Sequence, residues 1–298
     1  MKKISFYDQI SKNKRDSVLL GVVVFFILIS LVYIISSIFS PSLSLLFTIF
    51  AVIFMIVYTY GTYNYGDKVV LAATNAMPVG EDKRYTKLID VVEELSIASG
   101  LPKPKIYVIK CDEINAFATG KDPNHASIAV TTGLLENLNR DEIQGVIGHE
   151  MSHIRNYDIR FATFIAVFVG LVAILSNILM RSFFWGGTRE DRKDRNLGIL
   201  IIVGLILAII APILVRLVQL AISRRREFAA DAGSVELTRY PEGLASALEK
   251  ILKINQGKMK VSEAVSHLFI SDPNKSPLDN LFATHPPLKE RIKILRSM

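Results

Sequence analysis

The chain has 298 residues, 50% of them hydrophobic and 21% charged, with a net charge of +7 and a mean hydropathy of +0.35. It is too apolar and too weakly charged for an ordinary soluble globule. Cys111 is the only cysteine, which excludes an internal disulfide and a cysteine-rich metal site. The basic balance asks for no nucleic acid, because cations flanking membrane segments beside anionic lipid account for most of it.

The apolar residues fall in runs. From Ser17 to Gly66 there is no Asp, Glu, Lys or Arg, and residues 161–180 and 196–215 are equally uncharged. A helix rises 1.5 Å per residue, so about twenty residues cross the ~30 Å hydrocarbon layer. The first run has length for two crossings, and Ser40-Pro41-Ser42 supplies the break between them. Proline lacks an N–H and disfavours helix in the residue before it. The expectation is a basic N-terminal tail and transmembrane hairpin in 1–66, with spans at about 17–38 and 43–64. A cleaved secretory signal fits less well, since the run exceeds the usual apolar region of such signals and a second span follows.

Residues 161–215 then carry the third and fourth spans, joined by the loop 181–195. Four spans leave 1–16, 67–160 and 216–298 on one side. Lys2, Lys3, Lys12, Lys14, Arg15, Lys68, Lys83, Arg84, Arg155, Arg160, Arg216 and Arg224–Arg226 cluster on that side near the spans, which makes it the cytosol. The basic stretch Arg189–Arg195 runs against this bias. Trp185, with Phe183 and Phe184, reads as an interfacial anchor.

The parts between the spans read as mixed α and β. Lys83–Ser99 places Leu88, Val91, Val92, Leu95 and Ile97 at helical spacing, and Gly100 is a natural stop. Lys105–Lys110, Ile114–Thr119 and Ser127–Thr132 read as strands, and Leu134–Leu138 as a short helix. Asn139 is a helix cap with Asp141 and Glu142 in the following turn. Helical spacing returns over Leu244–Ile254 and Leu288–Leu295, around a loop at 271–287.

The chemistry sits on the helix after Asn139, which contains His149-Glu150-Met151-Ser152-His153. Two histidines four apart lie one turn apart on one helix face and can both reach one Zn²⁺. The glutamate between them stands where a general base is needed. Two of the chain's five histidines are used in this way. A catalytic zinc takes a third protein ligand, and Glu227 in Arg224-Arg-Arg-Glu-Phe-Ala-Ala-Asp231 is the candidate. Asp231, one turn on, is placed to accept a hydrogen bond from a ligand imidazole, first of all His149. His125 and His267 have no partner at ligand spacing and read as ordinary polar residues.

The pairing of the H-E-x-x-H motif with Glu227-x-x-x-Asp231 is the gluzincin pattern. Together with Asn115-Ala-Phe-Ala-Thr-Gly120, Val130-Thr-Thr-Gly-Leu-Leu135, Thr284-His-Pro-Pro-Leu288 and Arg291, it makes nearly the whole chain resemble the HtpX membrane metalloproteases. The resemblance implies a membrane-integral zinc endopeptidase of protein quality control, related to the CaaX prenyl proteases. The fold class expected is a membrane protein, mainly α with a small β-sheet: four transmembrane helices plus a cytosolic gluzincin-like α+β metalloprotease domain. Its catalytic domain is split, with the first part at 67–160 and the second, holding the third ligand, at 216–298. It implies one Zn²⁺ per chain and misfolded membrane proteins as polypeptide substrates, cut at the cytoplasmic face of the cell membrane. The residues carry no sign of oligomeric state.

If the ligand helices run unbroken into the spans, His153 stands about 10 Å and Glu227 about 18 Å from the hydrocarbon. A site there would cut outside the lipid. The oxyanion formed during hydrolysis needs an electropositive partner besides zinc, for which His285 and Arg291 are candidates. Asn115–Thr119 reads either as an ordinary strand with Phe117 in the core or as an edge strand that binds substrate backbone. A transporter would place ionisable groups inside its spans, and a structural zinc site would close with a fourth ligand. Neither pattern is present.

Overall fold

The computed structural model describes residues 41–80, 82–170, 224–274 and 286–298, with isolated helical positions between 15 and 37. The expected fourth span, the loop 181–195 with Trp185, and His285 lie outside the described residues, as do most of the first span and the later part of the third.

Pro41–Leu43 form one 3₁₀ turn, and α1 (Ser44–Ala73) follows directly. The helix thus starts just after Pro41, while residues 38–40 on the other side of the expected break lie outside the described residues. The helix runs on past the expected end at 64, because Asp67 and Lys68 end the apolar run without ending helical geometry. Pro41–Ala73 is long and apolar enough to cross a membrane, and only 6% of its most apolar window is buried. Thr62, Gly66 and Val70 mark its buried face, which packs on the helical residues 158–170. Tyr58 donates its hydroxyl proton to the Val167 carbonyl at 2.9 Å, and Gly66 leaves room for the Thr163 side chain.

A four-stranded sheet follows, from β1 (Met77–Pro78), β2 (Lys105–Ile109), β3 (Ala116–Gly120) and β4 (Ala126–Thr131), in the order β1-β2-β4-β3. β2 and β4 are parallel, while β1 and β3 run antiparallel to their neighbours. Alternation along each strand feeds two cores. Ile128, Val130, Ala116 and Ala118 join the main core, whereas Ala129 and Phe117 join a second one under α1. Phe117 is fully buried edge-on against Phe269, with ring centres 4.8 Å apart. The two-residue β1 contains a proline, so no alternating run announces it.

The main core is closed by α2 (Thr86–Ser99), α4 (Arg140–Arg155), α6 (Pro241–Ile254) and α8 (Leu288–Leu295). Between β4 and α4 lies the short α3 (Thr132–Asn137), α5 spans Arg224–Thr238, and α7 is one turn, Glu263–Ser266. Leu88, Val91, Val92 and Leu95 of α2 are buried as expected, but Ile97 is 78% exposed. It lies at the end of the helix, one residue past the buried Ser96 and off the apolar stripe. Gly100 ends α2 at a left-handed φ of 68°.

One expectation is overturned. α4 does not run unbroken into the expected third span. It ends at Arg155, Asn156 caps it, Tyr157 adopts a left-handed φ of 59°, and helix resumes at residue 158. The break lets Asp158 turn back towards α4, with a consequence for His153.

Candidate metal centre

α4 is locked at its start. Asn139 and Glu142 form a reciprocal capping box, with each side chain accepting from the other's backbone N–H. The Glu142 carboxylate also accepts from Ser246 at 2.8 Å and Lys250 at 2.7 Å, tying α4 to α6. Burial alone would raise this carboxyl, but Lys250, Asn139 and Ser246 outweigh it and hold the group below its ordinary range.

Close approach then brings the third ligand in. At Gly145 a Cβ would overlap the Leu244 backbone, and at Gly233 it would overlap the Ser152 side chain. With these positions bare, α5 and α6 lie directly on α4, and Ser234 of α5 donates to the Gly145 carbonyl at 2.6 Å.

The result is a convergent donor set of His149, His153 and Glu227. The two histidine Nε2 atoms stand 3.2 Å apart. Glu227 oxygens lie 3.6 Å from His149 Nε2 and 3.5 Å from His153 Nε2. With zinc bonds of about 2.0–2.1 Å, the corners of a tetrahedron stand about 3.3–3.4 Å apart; the nitrogen pair is close to that spacing, and Glu227 faces it with one oxygen towards each nitrogen.

Both imidazoles are oriented from behind. His149 Nδ1 is 2.9 Å from Asp231 Oδ1, and His153 Nδ1 is 3.0 Å from Asp158 Oδ2. A carboxylate can only accept, so each Nδ1 carries a proton and each Nε2 faces the common centre, where it can bind metal once it is deprotonated. Asp231 is itself gripped by Arg291, with Nε to Oδ2 at 2.9 Å and Nη2 to Oδ1 at 2.6 Å. Arg291 is fully buried and also reaches Glu227 at 3.5 Å and the Ile270 carbonyl at 3.4 Å. Asp231, Glu227 and the charge of Glu150 thus act on the Arg291 guanidinium, while Asp158 and Arg226 line the cavity beside them.

Burial lowers His149, in spite of its bond to Asp231. At His153 burial also works downward, but Asp158 and the charges of Glu227 and Glu150 prevail and lift it to about 9. Glu150 is buried and consequently raised to about 7, even though His153 and a hydrogen bond from the Ala118 backbone work against the rise. Asp231 would rise on burial, yet Arg291 and His149 hold it far below the ordinary carboxylate range.

In front of the ligands lies a small cavity of about 40 Å³, lined by Ala118, Glu150, His153, Asp158, Arg226, Glu227 and His267 among others. A larger groove of about 700 Å³ passes Thr74, Glu113 and Lys258 and contains none of the ligands. Chemistry, not volume, identifies the small cavity as the candidate centre. The residues singled out from sequence therefore divide. His149, Glu150, His153, Glu227 and Asp231 meet at one point, and Arg291 stands behind them on Asp231. Asn115 is fully buried, donating to the Ser271 carbonyl at 2.9 Å while its oxygen accepts from Ala116 and Ser271. His125 pairs at the surface with Asp122. His267, read as an ordinary polar residue, lines the cavity and donates to the Ala162 carbonyl at 3.2 Å. Asp158 was not singled out at all, since only the turn at Tyr157 brings it to His153.

Residues 82–298 match the family described as Peptidase family M48. The chain belongs to peptidase family M48. It is 46% identical over 301 residues to a "Protease HtpX homolog" of Caldanaerobacter subterraneus subsp. tengcongensis, covering 100% of this chain and 99% of that protein. A protein of the same name from Dictyoglomus thermophilum is 44% identical over 299 residues, covering 100% and 96%. Among solved structures, that of S. mikatae Ste24p matches with a TM-score of 0.50 at 19% identity, covering 96% of this chain and 67% of that one. The likeness at that identity concerns the fold. This M48 chain is a metallopeptidase, and the HtpX resemblance read from its motifs holds. M48 peptidases are zinc enzymes, and the donor set here fits that metal.

Proposed function

We propose that this M48 peptidase is a membrane-integral zinc endopeptidase that hydrolyses misfolded or damaged membrane proteins at the cytosolic face of the cell membrane. The observation that carries the reading is the convergence of two oriented imidazoles and one carboxylate on a single point, with the buried Glu150 beside them. His149, His153 and Glu227 would hold one zinc per chain. Bound there, zinc supplies a Lewis acid for the scissile carbonyl and acidifies the attacking water.

The chain's own groups do the rest. Glu150 takes the proton of the attacking water and later gives it to the leaving amine, and a carboxyl near 7 is suited to both acts. Asp158 and Asp231 keep the imidazoles in the tautomer that binds metal. β3 is an edge strand. The Ala116 carbonyl on its open side is taken by Ile270, and Ala118, two residues on and facing the same way, borders the cavity. The Ala118 N–H is taken by Glu150, so a substrate backbone added alongside would pair first with the Ala118 carbonyl. The apolar, outward-facing α1 supports membrane insertion, and the uncharged runs at 161–180 and 196–215 support four spans with the loop 181–195 outside. His285 remains the candidate for oxyanion stabilisation.

The test is Glu150→Gln beside wild type in detergent, with zinc content and casein cleavage read on the same samples. The variant should keep its zinc and lose cleavage by about 10²–10⁴-fold. Undiminished cleavage by the variant would remove Glu150 from the mechanism.

A further inference from the structure

Two separate chain segments leave their uncharged runs at the same height. The run from Ser17 ends at Gly66, just before Asp67 and Lys68, and the run that starts at Phe161 is preceded by Arg160. The structure joins these ends: Arg160 Nη2 donates to the Tyr63 hydroxyl at 2.9 Å. Exposed Tyr60, Tyr63 and Tyr65 ring α1 at this level, where tyrosines mark the edge of a bilayer.

Cations gather here on aromatic rings. Arg160 and Lys121 lie 5.2 Å and 5.1 Å from the Tyr63 ring centre, and Lys68 lies 5.0 Å from that of Tyr65. No carboxylate among the described residues comes within ion-pairing distance of these three cations. Arg160 spends one of its five N–H donors on Tyr63, and Lys121 one of its three on Asn64. Donors are left over on both. Asp67 lines the same small hollow as Lys121 and Arg160, so two positive charges face one negative. The surplus of one matches the single charge of a phosphodiester.

We propose that Lys121 and Arg160, gathered over Tyr63 at the bilayer edge, form a binding site for the phosphate of an anionic phospholipid headgroup. This rests on the membrane reading above. The hollow is also joined to the catalytic cavity. Thr163 bonds Thr119 at 2.8 Å and accepts from the Gly120 N–H at 3.2 Å, and β3 carries Ala118 into the cavity wall. A headgroup held here would steady both the edge strand and the start of the helix that carries Asp158.

The full-length protein is placed in nanodiscs of phosphatidylcholine with added phosphatidylglycerol, and the lipid it retains is counted by native mass spectrometry. Wild type should retain phosphatidylglycerol preferentially, and Lys121→Gln with Arg160→Gln should cut that preference about fivefold or more. The charge-keeping pair Lys121→Arg with Arg160→Lys should preserve it, which separates lost charge from lost fold. Zinc content reports that each variant is intact. Equal retention by wild type and the Gln pair would overturn the proposal, as would displacement of the lipid by millimolar inorganic phosphate, which would point to a soluble anion. Lipid retention needs no hydrolysis, so an inactive protease would leave this result standing. Failure to insert into nanodiscs would instead remove the membrane reading and this proposal together.

Discussion

α4 and α1 invert the usual relation between polarity and burial. α4 carries Asp141, Glu142, His149, Glu150 and His153, yet most of it is buried, including Glu142, His149 and Glu150. α1 is almost wholly apolar over its first turns, yet Leu45, Phe50 and Val57 are more than 60% exposed. The difference lies in what surrounds each helix. Every buried polar group of α4 named above has an acceptor, a donor or a metal position waiting for it, so burial costs little. Among the described residues nothing covers the outer face of α1, and a hydrocarbon solvent would remove the penalty that water imposes.

That contrast can be broken at several points. Removing Glu227 as Glu227→Ala opens one side of the donor set, and both bound zinc and peptidase activity should fall to background, read by metal analysis and casein cleavage. Arg291→Gln leaves the buried Asp231 without its cationic partner, with only His149 beside it. It should destabilise the protein by about 3–5 kcal/mol and weaken zinc by about 10–100-fold, measured by thermal unfolding and chelator competition. The two helices are compared directly by truncation. Ile147→Ala, in the fully buried part of α4, should cost about 2–5 kcal/mol in detergent. Phe50→Ala, on the exposed face of α1, should stay within about 0.5 kcal/mol. Equal costs would mean that α1 packs against something in its own fold.

The smallest effect concerns protons. In the metal-free site His153 lies at about 9 and is charged at pH 7, whereas His149 is lowered and neutral. Zinc must displace the His153 proton, so affinity should rise by about tenfold per pH unit towards pH 9 and flatten above it. Calorimetry in two buffers of different ionisation enthalpy would count the proton released.

The ligand pair was readable because His149 and His153 belong to one helix, where spacing alone sets their geometry. Glu227 was readable only through its motif, since nothing in the distance along the chain shows that Gly145 and Gly233 let α5 lie against α4. Asp158 was hidden by the left-handed turn at Tyr157, which a β- or α-based reading does not anticipate. The burial of Arg291 was equally hidden. An arginine in a short amphipathic helix reads as solvent-facing until its partner Asp231 is seen. The strands were clear where side chains alternate and missing where β1 offers only Met77 and Pro78.

The central claim is that His149, His153 and Glu227 hold one zinc with a position left open for water. Zinc-edge X-ray absorption on the purified full-length protein tests it most directly. One zinc per chain is expected, with two imidazole nitrogens and oxygen neighbours at about 2.0–2.2 Å. A sulfur neighbour, a single imidazole or three imidazoles, or a protein that carries no zinc would contradict it.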